Sequence, residues 1–255
     1  MGNDKKLEDF KVMGLGGHLE ELRYRLLMAV AGMVVGFVAC LCFGKALLSL
    51  LVKPYMKVVV SAGLEPQLQA IQLSEQFLVY VKTSLVFGLI LSAPWIFYHL
   101  WKFVSAGLYP NERRFIYAAA PASAVLFIAG ASFFILVMAP WVMAFFIRFD
   151  AGIEFIKVAP TLQSYTNFVL SLTLIFGAAF QMPIGIVFAE RMGLVSAENL
   201  VKARKFVIVG LLIIAAIATP SPDVISQIAL AVPLYVLFEA SILVCRFLNR
   251  RKRTK

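Results

Sequence analysis

The sequence predicts an all-α integral membrane protein that crosses the bilayer six times. Of its 255 residues, 61% are hydrophobic, and the mean hydropathy is +0.87, which is more than a water-soluble core requires. Its apolar runs approach or exceed the roughly 20 residues that span a bilayer as a helix. We expect one polytopic domain over residues 1–255, with apolar runs at 26–51, 77–101, 115–147, 168–188, 206–218 and 224–244.

The first run, 26–51, is expected to remain as an anchor and not to be cleaved. The segment before it, residues 1–25, mixes the acidic residues Asp4, Glu8 and Asp9 with lysines. The run is also longer than the apolar part of a signal peptide.

Basic residues set the expected orientation. Most of the 24 lysines and arginines fall in residues 1–25, the loop around residue 112, the loop 191–205 and the tail 246–255. By the positive-inside rule, both termini and these loops are cytoplasmic. The basic tail either contacts anionic lipid or acts only as a stop-transfer anchor. Six basic residues are left for the opposite side: Lys45, Lys53, Lys57, Lys82, Arg148 and Lys157.

The last two helices are expected to be short. The run 206–218 corresponds to roughly 20 Å of helix, against a hydrocarbon core of about 30 Å. A Pro-rich turn follows it, Asp223 is placed to cap the last helix, and Pro233 interrupts that helix. Either the mismatch thins the membrane, or the helix is extended by Arg204 and Lys205, whose side chains reach the interface.

Four prolines inside three other runs predict bent helices that enclose a concave face, because each proline removes one backbone donor. They are Pro94, Pro121, Pro140 and Pro183.

Four polar residues at membrane depth are candidates for intramembrane contacts or partner docking, since such residues are unfavourable in lipid without a partner. Gln181 can hydrogen-bond a neighbouring helix. Asp223 and Gln227 share a helical face, although capping alone accounts for Asp223. For Glu239, a bond to a nearby Ser or Tyr hydroxyl is as reasonable as a functional role.

The N-terminal cluster permits two interpretations. Glu21 and Arg25 are spaced i to i+4, and Glu20 and Arg23 i to i+3. The charges either satisfy each other on a solvated helix or offer carboxylates to a partner.

Glu112 follows Pro110 in the next cytoplasmic loop and precedes Arg113 and Arg114. Its carboxylate either pairs with these arginines or accepts a guanidinium from another chain.

Enzymatic and cofactor chemistry is not expected. The only histidines are His18 and His99, and the chain has no His-Glu-x-x-His motif and no Gly-rich Lys-Ser or Lys-Thr loop for ATP. The cysteines Cys40, Cys42 and Cys245 lack companion ligands, so we expect packing roles without a metal or disulfide framework. A nucleic-acid partner is not expected either.

Several motifs resemble the TatC family, the multispanning receptor subunit of the twin-arginine protein translocase. The resemblance covers nearly the whole chain, and it depends on the order and helix-end positions of the motifs. They are His18-Leu-Glu-Glu-Leu-Arg23, Leu91-Ser-Ala-Pro94, Phe103, Glu112-Arg113-Arg114, Phe176-Gly177, Phe180, Pro183, Pro222-Asp-Val-Ile-Ser-Gln227, Pro233 and Glu239.

The resemblance implies a receptor for folded precursors that carry an Arg-Arg signal peptide. Glu112 and Glu21 would accept the paired arginines, Phe103 and Arg23 would shape the site, and the apolar part of the signal peptide would lie along the concave face. It further implies the single-span partners TatA and TatB docking against the later helices, and transport driven by the proton-motive force. The basic tail and the absence of a transit peptide favour a bacterial plasma (inner) membrane. Self-association is left open.

Two positions depart from the family pattern. Gln181 stands where many members have Glu, which puts in doubt any proton relay through a carboxylate there. Ala106 stands where a Pro is common. The alternative function is a small-solute secondary transporter, although the sequence shows no convincing internal repeat.

Overall fold

The computed structural model of the chain describes residues 15–106, 110–148, 160–218 and 224–253. Their secondary structure is helical apart from an isolated bridge between Gln69 and Thr161, which confirms the predicted all-α class. The helices are α1 Leu15–Cys42, α2 Gly44–Ser61, α3 Glu75–Ala106, α4 Pro110–Phe133, α5 Ala139–Arg148, α6 Leu162–Ala179, α7 Met182–Arg191, α8 Ala197–Ala218 and α9 Val224–Arg253, with a π-helical turn, Phe134–Met138, between α4 and α5.

Five helical stretches of the described chain are long and apolar enough to cross a membrane: Glu20–Cys42, Glu75–Ser105, Ile116–Ile147, Leu162–Arg191 and Gln227–Leu248. They correspond to five of the six predicted runs. The exception is the run 206–218, which lies in α8 directly after Lys202, Arg204 and Lys205. The sixth crossing and the cytoplasmic position of both termini stay predictions.

The expectation of short fifth and sixth helices is wrong. α8 has 22 residues and α9 has 30. The helix of α8 continues through Arg204 and Lys205, because both residues favour helix and have long apolar stems. α9 continues through Pro233. The membrane thinning that short helices would cause therefore loses its basis.

The first apolar run is divided between two helices and is not a single anchor. α1 ends at Cys42 and α2 begins at Gly44. A Cβ atom at Gly44 would lie 2.5 Å from the Tyr80 ring, so glycine is required where the chain turns. The apolar face of α2 then packs into the core through Leu51 and Tyr55.

Prolines interrupt two of the helical stretches. The π-helical turn ends just before Pro140, and Pro183 lies at the start of α7, where its missing N–H costs no helical hydrogen bond. The fourth run is therefore two helices, α6 and α7, with Gln181 between them. The concave shape of the bundle stays a prediction. The prolines that lie inside continuous helices include Pro94, Pro121 and Pro233.

α1 and α3 pack side by side in opposite directions. Trp95 Nε1–H donates to the carbonyl oxygen of Met28 at 2.8 Å, and the Tyr80 hydroxyl donates to the carbonyl oxygen of Leu41. The residue number thus falls along α3 as it rises along α1. This register places the start of α1 beside the last turns of α3.

A buried carboxylate holds the opposite end of α3. Glu75 is only 2% exposed and accepts hydrogen bonds from the backbone N–H groups of Ile71 at 2.8 Å, Gln72 at 3.3 Å and Gln163 at 2.6 Å. Nearby, the Tyr55 hydroxyl donates to the Gln67 carbonyl oxygen at 3.1 Å, and burial raises the pKa of that hydroxyl. Glu75 therefore ties the loop before α3 to the start of α6.

Candidate functional site

Glu21 pairs with Arg25 on the same helix, as the i to i+4 spacing predicts. Arg25 Nη2 lies 3.3 Å from Glu21 Oε1, and the side chains are 16% exposed for Arg25 and 19% for Glu21. The other carboxylate oxygen, Oε2, and Arg25 Nε are buried and have no partner within the described part of the chain. Arg23 is exposed beside them. Glu21 thus uses one acceptor and keeps a second one unused.

Phe103 lies at the same level of the bundle as Glu21. From the contact between Trp95 and Met28, eight residues further along α3 lead to Phe103, and seven residues back along α1 lead to Glu21. The rise per residue is the same in both helices, and the helices are antiparallel, so Glu21 and Phe103 lie at the same end of the pair. Phe103 is half-buried there.

Glu112 lies in the first turn of α4, and its side chain lies outside the described residues. Trp101 Nε1–H donates to Ser123 Oγ at 2.8 Å, which fixes the register of α4 against α3. Phe103 comes two residues after Trp101 on α3. Because α4 runs in the opposite direction, Phe103 is level with the residue two positions before Ser123. Glu112 comes nine residues before that level, or roughly 13 Å further along the helix. The structure brings Glu21 and Phe103 to one level and places Glu112 beyond them.

Glu239 joins α8 to α9 through a polar cluster. Its Oε2 atom lies 2.7 Å from Arg204 Nη2, and its Oε1 atom accepts the Tyr235 hydroxyl at 2.7 Å. The predicted bond from Glu239 to a nearby hydroxyl is thus present. Both charged side chains are partly exposed, 41% for Arg204 and 27% for Glu239.

Arg204 was not predicted as the partner of Glu239, since it was assigned to a basic cytoplasmic loop or to an extension of the helix that reaches the interface. A usable signal was present in the sequence. Two antiparallel helices joined by a short connection place residues equally far from that connection at the same level, and Arg204 and Glu239 meet this condition.

The two intramembrane glutamines each bind a neighbouring helix. Gln181 Nε2 donates to the Ser123 carbonyl oxygen at 2.9 Å, and Gln227 Nε2 donates to the Leu212 carbonyl oxygen at 2.8 Å. The predicted interhelical bond of Gln181 is confirmed. Asp223 lies outside the described residues. The polar candidates do not form one site, because Gln181 contacts α4 whereas Gln227 and Glu239 contact α8.

An open apolar cleft of about 200 Å³ lies between α8 and α9. Its lining includes Leu212 and Tyr235, so it lies between the Gln227 contact and the Glu239 cluster. In the part of the chain that the structure describes, no group of three or more His, Cys, Asp or Glu side chains could hold a metal ion.

A sequence model of the family described as TatC, Sec-independent protein translocase protein, matches residues 17–233. The chain belongs to the TatC family. Its members include the TatC protein of Desulforapulum autotrophicum, which is 38% identical over 235 residues, covering 92% of this chain and 85% of the relative. The TatC protein of Escherichia coli K12 is 34% identical over 238 residues, covering 93% of this chain and 90% of the relative.

The fold agrees with a solved member of the TatC family. A crystal structure of the twin-arginine translocase receptor TatC in a detergent, DDM, aligns with a TM-score of 0.80 and 31% sequence identity. The alignment covers 89% of this chain and 99% of that one. The chain is therefore a membrane-spanning component of a protein translocase, in a family of transport proteins that serves twin-arginine translocation.

Proposed function

We propose that this TatC-family chain is the receptor and core subunit of its translocase, and that it binds Arg-Arg signal peptides of folded precursors at the cytoplasmic face. The proposal rests on the positions of three residues. Glu21 and Phe103 lie at the same level of the bundle, and Glu112 lies at the start of the next helix, α4. The crystallised relative is itself described as a twin-arginine translocase receptor, which supports the assignment.

The two carboxylates suit a pair of adjacent arginines because they lie at different levels. Helix register separates Glu21 from Glu112 by roughly 13 Å along the bundle. Successive side chains of an extended peptide point to opposite sides, so two consecutive arginines can serve two separated acceptors. The half-buried ring of Phe103 lies at the lower level, where a guanidinium can stack on it.

Arginine is favoured over lysine at such a site for a geometric reason. A guanidinium presents a planar fork that matches both oxygens of a carboxylate, whereas an ammonium group is a point charge. The unused Oε2 of Glu21 is the second oxygen that this contact needs. The apolar part of the signal peptide would continue along the concave face of the bundle.

The later helices suit the single-span partners TatA and TatB. The apolar cleft between α8 and α9 lies at membrane depth, with polar contacts of Gln227 and Glu239 at its two ends. An apolar partner helix fills such a cleft, and small polar groups fix its register. We assign Gln181 to the bond between α4 and the start of α7, and from the sequence Asp223 stays a candidate for partner docking or for the cap of the last helix.

The membrane arrangement completes the proposal. We assign residues 1–255 to one polytopic domain with six crossings, of which α8 is the one with a charged cytoplasmic end. Both termini lie in the cytoplasm, and the protein lies in the inner membrane of a bacterium. Nucleation of the translocase on this subunit would be followed by transport driven by the proton-motive force. Membership of a protein-translocase family favours this function over a small-solute transporter.

Site-specific crosslinking of a signal peptide to membranes that contain this protein tests the receptor function. An Arg-Arg peptide is compared with its Lys-Lys variant, on the wild-type chain and on Glu112→Ala. Glu198→Ala is the matched control, because Glu198 is an exposed acid in the first turn of α8, and Glu112 occupies the first turn of α4.

We expect the crosslink to be lost with the Lys-Lys peptide and with Glu112→Ala, and to be kept with Glu198→Ala. Equal crosslinking in every combination would contradict the receptor assignment and favour the alternative function, a small-solute transporter. Loss with Glu198→Ala as well would show that cytoplasmic negative charge in general attracts the peptide, and that Glu112 is not a specific acceptor.

A further inference from the structure

The carboxylate that the proposed function assigns to a signal-peptide arginine is already paired with an arginine of its own chain. Arg25 Nη2 contacts Glu21 Oε1 at 3.3 Å. The contact uses one oxygen and one terminal nitrogen, while Glu21 Oε2 and Arg25 Nε are buried without partners among the described residues. The internal pair is thus a single contact and not a fork-to-fork pair.

We propose that Arg25 is an internal competitor for Glu21, so that an incoming arginine must displace it. This inference rests on the proposed receptor function and deepens it. Arg25 becomes a specificity-determining residue that sets the affinity threshold for signal peptides.

Displacement follows from the geometry of the carboxylate. A guanidinium reaches its strongest pairing with a carboxylate when it contacts both oxygens. At Glu21, one of these oxygens is held by Arg25 and the other is buried. An arginine from a peptide that binds both oxygens therefore competes with Arg25 for Oε1.

Arg25 has a second contact that does not involve Glu21. Its guanidinium carbon lies 5.5 Å from the centre of the Tyr24 ring, and that ring is 51% exposed. A cation over a tyrosine ring is a favourable contact. The guanidinium can therefore keep its contact with Tyr24 when it leaves Glu21.

Displacement of Arg25 by a peptide arginine is favourable in free energy only if the peptide arginine binds Glu21 more strongly than Arg25 does. The internal pair is a single-contact i to i+4 pair, which corresponds to a weak interaction. A guanidinium that binds both oxygens exceeds it, whereas a lysine ammonium makes one point contact and gains little. Competition by Arg25 thus adds to the discrimination between arginine and lysine.

Binding of a fluorescent Arg-Arg signal peptide to the purified full chain in nanodiscs tests this competition. Arg25→Gln is measured in the wild-type background and in the Glu21→Gln background. Lys102→Gln is the matched control, because Lys102 is an exposed cation in the last turns of α3, which lie beside the start of α1. Arg25→Lys keeps the charge and removes the planar fork.

In the wild-type background, we expect Arg25→Gln to tighten binding of the Arg-Arg peptide by about threefold, as loss of a weak i to i+4 pair implies. Arg25→Lys should tighten it less. In the Glu21→Gln background, Arg25→Gln should have no effect, because no carboxylate remains to be released. Lys102→Gln should leave the affinity unchanged.

Weaker or unchanged binding with Arg25→Gln, when Glu21→Gln and Glu112→Ala both weaken binding, overturns the competition and leaves the receptor function standing. Equal tightening with Lys102→Gln also overturns it, since general loss of positive charge would then be the cause. If Glu21→Gln and Glu112→Ala both leave binding unchanged, the receptor function itself fails. A structural role for Arg25 would weaken binding by a similar factor in both backgrounds.

Discussion

Replacement of Gly88 with alanine should force α1 and α3 apart. A Cβ atom at Gly88 would lie 2.6 Å from the Cα atom of Phe37 and 2.7 Å from its backbone nitrogen. Carbon atoms in contact normally lie about 3.5–4.0 Å apart, so the added methyl overlaps Phe37 by about 1 Å. Because the atoms it meets are backbone atoms, no change of rotamer relieves the overlap.

The expected cost follows from two opposing effects. Insertion of a methyl group into a packed contact destabilises by about 1–3 kcal/mol, while Gly→Ala in a helix stabilises by roughly 0.5–1 kcal/mol. We therefore expect Gly88→Ala to lower the free energy of unfolding by about 1–2 kcal/mol. Gly185→Ala is the matched control, since a Cβ atom at Gly185 meets nothing within 4 Å.

The assay is unfolding of the purified chain by SDS in mixed micelles, followed by circular dichroism. Gly88→Ala should lower the midpoint, and Gly185→Ala should leave it unchanged or raise it. The Arg-Arg peptide crosslink should also weaken only for Gly88→Ala, because Glu21 on α1 would move relative to Phe103 on α3. Similar midpoints for the two variants would refute the close approach of α1 and α3 at this position.

Three further predictions concern polar contacts and use the same unfolding assay. Glu239→Leu should destabilise by about 1 kcal/mol because the charge of Arg204 loses its partner, and Arg204→Met in the same chain should restore most of the loss. Glu75→Ala should destabilise by roughly 3 kcal/mol or more, since three backbone N–H groups lose a charged acceptor. Gln181→Leu should destabilise by about 1–2 kcal/mol, because the bond to Ser123 is lost.

Each of these predictions has a contradicting result. Additive losses in the Glu239 and Arg204 double variant would show that the two side chains do not depend on each other. A stable Glu75→Ala protein would show that the loop before α3 does not need its buried acceptor. An effect of Gln181→Leu no larger than that of a substitution on the lipid face would remove the hydrogen bond as a stabilising contact.

The apolar runs and the i to i+4 spacings in the sequence correctly predicted several features of the structure. Five runs overlap the five helical stretches of the described chain that can cross a membrane, because length and hydrophobicity alone decide that property. The pair of Glu21 with Arg25 follows from a distance within one helix. The bond of Glu239 to Tyr235 is also local, since one helical turn separates the two residues.

Features that depend on distant residues were not predictable from such patterns. The break between α1 and α2 depends on the contact of Gly44 with Tyr80, on another helix. The partner of Glu239 is Arg204, which lies on the preceding helix. The length of α8 was left between two alternatives, because a hydropathy criterion stops at a charged residue, whereas Arg204 and Lys205 are good helix formers that extend the helix.

Gln181 shows what this position requires of its side chain. The Ser123 carbonyl oxygen is only an acceptor, and Gln181 meets it with an N–H donor at 2.9 Å. A glutamate at this position could donate to the same oxygen only in its protonated form. The amide of Gln181 therefore makes permanently the contact that a carboxylic acid would make only while it holds a proton. Because an amide does not release that proton, the bond between α4 and the start of α7 in this chain does not depend on titration.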